Sequence, residues 1–155
     1  MVVIRLKKII VYSSSHQGNT EKVAKEMADA INADVMRVEG LDANILNDYD
    51  LIGFGSGIYG GKPSSAFMEF LDKLPDHFNK KAFVFSTSAF GRAEYNSSIR
   101  DKLSEKGLDV VGSFACKGCG ALGPFKIFGG ISKGRPNKED LLNARNFVHK
   151  LIEFS

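Results

Sequence analysis

The chain has 155 residues, of which 43% are hydrophobic and 25% charged. That length suits one domain spanning residues 1–155, with a core large enough to need no covalent staples. A formal net charge of +3, from 21 basic and 18 acidic residues mixed along the chain, is too mild for a nucleic-acid binder.

Two cysteines do not make a disulfide scaffold and fit a reducing compartment. No apolar run approaches the ~20 residues of a membrane span. Arg5, Lys7 and Lys8 interrupt the apolar N-terminal stretch and no cleavage site follows, so it does not read as a signal peptide. A cytoplasmic globular protein is expected.

Lys8–Tyr12 reads as a buried strand, short and β-branched, stopped by Ser13, Ser14 and Ser15. From Thr20 to Asn32, Val23, Ala24, Met27, Ala28 and Ile31 keep the spacing of one helical stripe. Asp34–Val38 and Leu51–Gly55 are the second and third strands. Pro63 suits the first turn of a helix carrying Phe67, Phe70, Leu71 and Leu74, which Pro75 ends. Ala82–Phe85 is the fourth strand. A helix follows from about Asn96 to Lys106, with Gly107 as its cap. Leu108–Cys116 is the fifth strand. The last helix starts at Asn137, an N-cap with Asp140 three residues on.

Five apolar strands separated by helices argue for an α/β fold, a parallel sheet covered on both faces. Right-handed crossovers make it doubly wound. Ligands of such folds sit beyond the carboxyl ends of the strands, so the loops after strands one, three and four are the places for chemistry.

The first of these loops, Ser13 to Thr20, feeds directly into a helix. Its hydroxyls and the free N–H groups of a helix N-terminus form a cradle for a phosphate monoester. It follows neither the Walker nor the Rossmann pattern, because the lysine and the spaced glycines are missing. A polar turn with only capping duties is the alternative. Here the chain resembles the flavodoxins, whose phosphate loop reads Ser/Thr-x-Thr-Gly-Asn-Thr; Ser15-His16-Gln17-Gly18-Asn19-Thr20 matches it apart from His16 and Gln17. Flavodoxins are themselves the standard example of the switch-point rule, so that agreement adds no independent support.

The resemblance covers essentially the whole chain and implies a three-layer flavodoxin-like fold, a five-stranded parallel sheet in the order 2-1-3-4-5. It also implies FMN as cofactor. By position, Ser56, Gly57, Ile58, Tyr59, Gly60 and Gly61 form one flavin loop, with Tyr59 stacking on the ring and Gly60-Gly61 as the peptide that flips when the flavin gains a proton. Thr87, Ser88, Ala89, Phe90 and Gly91 belong to the second flavin loop. Phe90 is the first choice for the other ring wall and Tyr95 the second; either could instead be ordinary core.

Two features depart from the family pattern. Many flavodoxins surround the flavin with carboxylates, whereas Lys62 and Arg92 stand in these loops and should raise the potential of an anionic reduced flavin. Cys116-Lys-Gly-Cys119 could be a redox dithiol, half a zinc site, or two ordinary thiols. No metal site is expected. The glycine-rich stretch 117–137 either folds near the flavin or packs on the core.

The resemblance implies an electron carrier, cycling FMN between oxidised, semiquinone and hydroquinone states and serving redox protein partners as a monomer. No catalytic residue is then required, since the cofactor does the chemistry. A small NAD(P)H- or quinone-dependent FMN oxidoreductase is the alternative, and a domain that has lost FMN is a third reading.

Overall fold

The computed structural model describes residues 5–14, 18–118 and 134–153. Strand β1 (Lys8–Ser13) leads into helix α1 (Asn19–Ile31), then β2 (Asp34–Arg37), a 3-10 turn (Ala43–Asp48) and β3 (Leu51–Tyr59). A two-residue strand β4 (Lys62–Pro63) precedes α2 (Ser65–Asp72) and β5 (Lys81–Ser88). A second 3-10 turn (Ala93–Asn96) enters α3 (Ser97–Glu105), followed by β6 (Asp109–Lys117) and α4 (Lys138–Glu153).

The parallel strands run in the order β2-β1-β3-β5-β6, which is the expected 2-1-3-4-5 arrangement once β4 is set aside. Alternation along the strands divides the core in two. Ile9, Val11, Ile52, Phe54, Ala82 and Val84 meet Phe67, Leu71, Ile99 and Leu103 from α2 and α3. Ile10, Tyr12, Phe83 and Phe85 face Val23, Met27, Ala144 and Val148 from α1 and α4.

Glycine decides the packing of the central strand. A Cβ on Gly53 would lie 2.4 Å from Phe83 Cζ, and one on Gly55 would lie 2.1 Å from Phe85 Cζ. The two phenylalanine rings of β5 therefore fill the space that side chains on β3 would otherwise take. Between β5 and β6 the register slips: Ala82 pairs with Val110, but Phe83 pairs with Gly112.

Several boundaries differ from expectation, among them that of the fourth strand, which runs Lys81–Ser88 rather than Ala82–Phe85. The third strand continues past Gly55 to Tyr59, because its far end pairs with β4. Pro63 sits in β4 rather than in the first turn of α2; Ser64 takes the cap, its Oγ accepting the Phe67 N–H at 3.4 Å. Helix α2 ends at Asp72, two residues short of Leu74. The expected cap of α4 is present and reciprocal. Asp140 N–H donates to Asn137 Oδ1 at 2.9 Å, and Asn137 N–H to Asp140 Oδ2 at 2.8 Å. Among the described residues no helix is long and apolar enough to cross a membrane.

Candidate functional site

Register alone brings three loops together. Ser13 at the end of β1 pairs with Ser56 of β3, and Ser56 pairs with Ser86 of β5. Ser13, Ser56, Ser86, Thr87 and Ser88 are all buried, so this end of the sheet is floored with hydroxyls. Most are occupied. Ser13 Oγ donates to Glu39 Oε1 at 2.8 Å, Ser56 Oγ accepts the Ser64 N–H at 3.0 Å, and Ser88 Oγ accepts the Gly91 N–H at 2.7 Å. Ser86 Oγ is buried and has no hydrogen-bond partner among the described residues.

Of the first loop, Ser15, His16 and Gln17 lie outside the described residues, and Gly18, Asn19 and Thr20 lie within them. Gly18 opens α1 with a φ of 72°, a left-handed conformation that favours glycine, and a Cβ there would meet no described residue within 4 Å. Having no side chain, Gly18 cannot cap the helix; Ser14 Oγ accepts the Glu21 N–H at 3.3 Å instead. Thr20 is buried, and its hydroxyl shares a 2.8 Å hydrogen bond with that of Thr87. The Asn19 side chain packs against β6: a Cβ on Gly118 would lie 2.7 Å from Asn19 Nδ2. Side chains of the first loop thus reach across to the ends of β5 and β6.

The second candidate loop is a β-hairpin rather than an open loop. Ser56 to Tyr59 belong to β3, with Ile58 opposite Pro63 and Tyr59 opposite Lys62. Gly60 and Gly61 make the turn at φ values of 59° and 81°. Positive φ at both central residues is what a type I′ hairpin turn demands, so the glycine pair here has a local structural cause. Tyr59 is 47% exposed, yet its hydroxyl folds back over the sheet end. A Cβ on Gly57 would lie 2.6 Å from Tyr59 Oη and 3.4 Å from Thr20 Oγ1. Thr20, Gly57, Tyr59 and Thr87 therefore share one neighbourhood.

In the third loop Thr87 and Ser88 are the last residues of β5, and Ala89, Phe90 and Gly91 follow. Phe90 is 52% exposed, and the Arg92 guanidinium sits 5.7 Å from its ring centroid. Gly91 turns the chain at a φ of 62°; a Cβ there would lie 3.0 Å from Lys117 Cγ. Tyr95 is half-buried and reaches the hairpin, 3.8 Å from where a Gly61 Cβ would lie. The structure thus separates the two aromatic candidates: Phe90 is open to solvent, and Tyr95 packs behind the hairpin turn.

Cys116 is buried, and burial pushes its thiol up to about 12, with the nearby Asp140 carboxylate acting in the same direction. A thiol held neutral is a poor nucleophile and a poor metal ligand, which weighs against a working dithiol. Cys119 and most of the stretch 117–137 lie outside the described residues. Among the described residues no cluster of His, Cys, Asp and Glu could hold a metal ion.

Sequence reasoning missed two polar features. Glu39, beyond β2, reaches the root of the first loop through Ser13, and nothing in the local pattern marks it. Asp140 was legible as a cap, but its second role was not. The Arg135 guanidinium grips it with Nε on Oδ2 and with Nη2 on Oδ1 at 2.6 Å, holding the carboxyl below its ordinary range.

A family model described as a flavodoxin domain matches residues 9–123. The chain belongs to the flavodoxin family. A relative from Methanocaldococcus jannaschii, known only as an uncharacterized protein, is 44% identical over 150 residues, covering 96% of this chain and 99% of its own. Oxidised flavodoxin 2 from Bacillus cereus superposes with a TM-score of 0.73 at 26% identity, over 96% of this chain and 99% of that one. A flavodoxin from the domain Archaea gives 0.68 at 20% identity, over 96% and 97%, which shows likeness of fold.

Flavodoxins are flavin proteins, usually carrying FMN, and belong to electron transfer in general. The residues present fit such a group. Among the described residues, Gly18 leaves open space at the start of a helix, Ser86 offers a buried hydroxyl without a partner, and Tyr59 and Phe90 present exposed aromatic surface at the same sheet end.

Proposed function

We propose that this flavodoxin binds FMN and carries electrons one at a time between redox protein partners. One observation carries the reading: Thr20, Tyr59 and Thr87, one from each of three loops, converge around Gly57 at the carboxyl ends of β1, β3 and β5. In this proposal Ser15 to Thr20 hold the phosphate, with the start of α1 contributing its N–H groups and dipole. Ser56 to Gly61 and Thr87 to Gly91 hold the ring, with Tyr59 and Phe90 as its aromatic neighbours. Bound FMN supplies the redox chemistry.

The protein's own contribution is geometry and field. Gly60 and Gly61 both hold positive φ, and a Cβ on Gly60 would meet nothing within 4 Å. The peptide joining them can therefore rotate at little steric cost, presenting either its C=O or its N–H to a neighbouring atom. That rotation would let the hairpin follow a change of protonation state without moving β3.

Anaerobic stepwise reduction of the FMN-loaded protein, followed by its visible spectrum, tests the reading. Accumulation of the one-electron-reduced flavin is the expected result. Passage straight to the two-electron form would replace the carrier with an NAD(P)H- or quinone-dependent oxidoreductase. Failure to bind FMN at micromolar concentration would leave a domain that has lost its cofactor.

A further inference from the structure

Among the described residues, three exposed cations around the hairpin make no ion pair, although Lys117 feels the Asp140 carboxylate. Lys62 lies opposite Tyr59 in β4, Arg92 lies over the exposed Phe90 ring, and Lys117 packs its stem on Gly91 at the end of β6. All three are exposed. They lie on one continuous patch, because Tyr95 joins the Gly61 turn to the segment after β5, and Gly91 joins that segment to Lys117.

None of the three cations makes an ion pair among the described residues, whereas Lys25, Arg37, Lys102, Lys106, Arg135 and Arg145 all do. Carboxylates are scarce nearby. The segments 51–68, 81–93 and 110–118 contain no Asp or Glu. Glu94 is the exposed acid beside Arg92; Glu39 is engaged by Ser13, and Asp140 by Arg135. A chain with a net charge of only +3 thus has, among the described residues, cations without ion pairs around two exposed aromatic rings.

The geometry points to this face as the docking surface for an acidic protein, with Lys62, Arg92 and Lys117 forming a basic rim around the Tyr59 and Phe90 contacts. Such a rim steers an oppositely charged partner and sets its orientation, while the apolar centre supplies contact area. The inference rests on the reading of this sheet end as an electron-transfer site. Its charge logic, however, can be tested with or without FMN.

The test is a titration of 15N-labelled, FMN-supplemented protein with a short capped peptide of alternating Glu and Asp, at low and high salt. Expected are amide shifts confined to Tyr59–Lys62, Phe90–Tyr95 and Lys117, weakened by salt. The triple variant K62E, R92E and K117E should bind roughly tenfold more weakly. A control reversing exposed cations elsewhere, K22E, K73E and K150E, should bind as the parent does. Shifts spread over α1 and α4, or equal weakening in both variants, would overturn the proposal. So would a short single-stranded DNA binding the same residues more tightly than the peptide, which would make the occupant a nucleic acid. Repeating the titration without FMN separates the two readings: loss of FMN binding with the peptide map intact would fail the cofactor reading alone.

Discussion

Thr20 Oγ1 and Thr87 Oγ1 lie 2.8 Å apart in the buried floor of the site, tying the first turn of α1 to the end of β5. The two hydroxyls satisfy each other in a place where water does not compete. Thr87→Val should leave Thr20 with a stranded hydroxyl and cost about 1–3 kcal/mol, and Thr20→Val should do the same in reverse. The double valine variant should cost less than the sum of the two. Urea midpoints of the four proteins close the cycle; additive losses would mean that the hydroxyls do not act as a pair.

Gly55 is expected to be intolerant of even one methyl group. Gly55→Ala would drive a Cβ to 2.1 Å from Phe85 Cζ, and overpacking of this kind costs about 1–3 kcal/mol. Phe85→Leu combined with it should recover part of the loss in thermal melts. A double variant no more stable than Gly55→Ala would place the strain elsewhere.

Asp140 should shape stability in acid. The Arg135 pair, aided by the Asn137 N–H, lowers its folded-state affinity for a proton below that of an ordinary carboxyl at 3.8. A depressed folded value means stability that is complete above 3.8 and is lost as pH falls through the lower value. Asp140→Asn should therefore be less stable than wild type near neutrality, by about 1–2 kcal/mol, with the gap closing in acid. Denaturation curves across that range measure it; a gap that does not change with pH would remove the charge from the account.

Cys116 should be nearly inert in the folded chain. With its thiol pushed up to about 12, almost no thiolate forms at pH 8. In a Cys119→Ser background, iodoacetamide should label it slowly until denaturant is added. The sign of the linkage is negative above the ordinary thiol value of 9.0: the unfolded chain loses its proton first, so stability falls as pH climbs toward 12. Labelling as fast as that of a free thiol would contradict the burial.

Lys62 should tune the proposed redox centre. Even about 1 kcal/mol of attraction between hydrated charges shifts a one-electron couple by roughly 40 mV. Lys62→Glu should accordingly make the couple that forms the anionic reduced flavin more negative. A spectroelectrochemical titration of the two FMN-loaded proteins reads this out, and coincident potentials would dismiss the effect.

The parallel strands were legible because buried β strands write themselves as short apolar runs, and Asn137 with Asp140 announced a helix start. Glycine caused the main misreading. Leu51–Gly55 was legible as a strand, but Gly57 resembles a loop residue; it belongs to β3 and yields space to Tyr59, as Gly53 and Gly55 do to Phe83 and Phe85. Those clashes come from the neighbouring strand and from a folded-back side chain, which local spacing does not reveal. Pro63 looked like a helix opener because edge-strand proline and first-turn proline share the same φ preference. At the site, Gly18, Asn19 and Thr20 could be named from one motif. The Thr20–Thr87 bond and the reach of Glu39 depend on residues far apart in sequence.

The slip in register between β5 and β6 reverses the facing of the last strand. Val110 packs with the α2 and α3 layer, whereas Phe114 and Cys116 belong to the α1 and α4 layer, although all three share the same parity in sequence. Val111 is the extra residue that makes this possible, as β-bulges do. Insertions and deletions are usually thought harmless in loops and ruinous in strands according to length. In β6 the damage would depend on place: losing Val111 would remove the bulge and keep Gly112 opposite Phe83 and Phe114 opposite Phe85, whereas losing Ser113 would bring Phe114 opposite Val84 and exchange inside for outside along everything downstream. The spare residue works as a half-turn written into the strand.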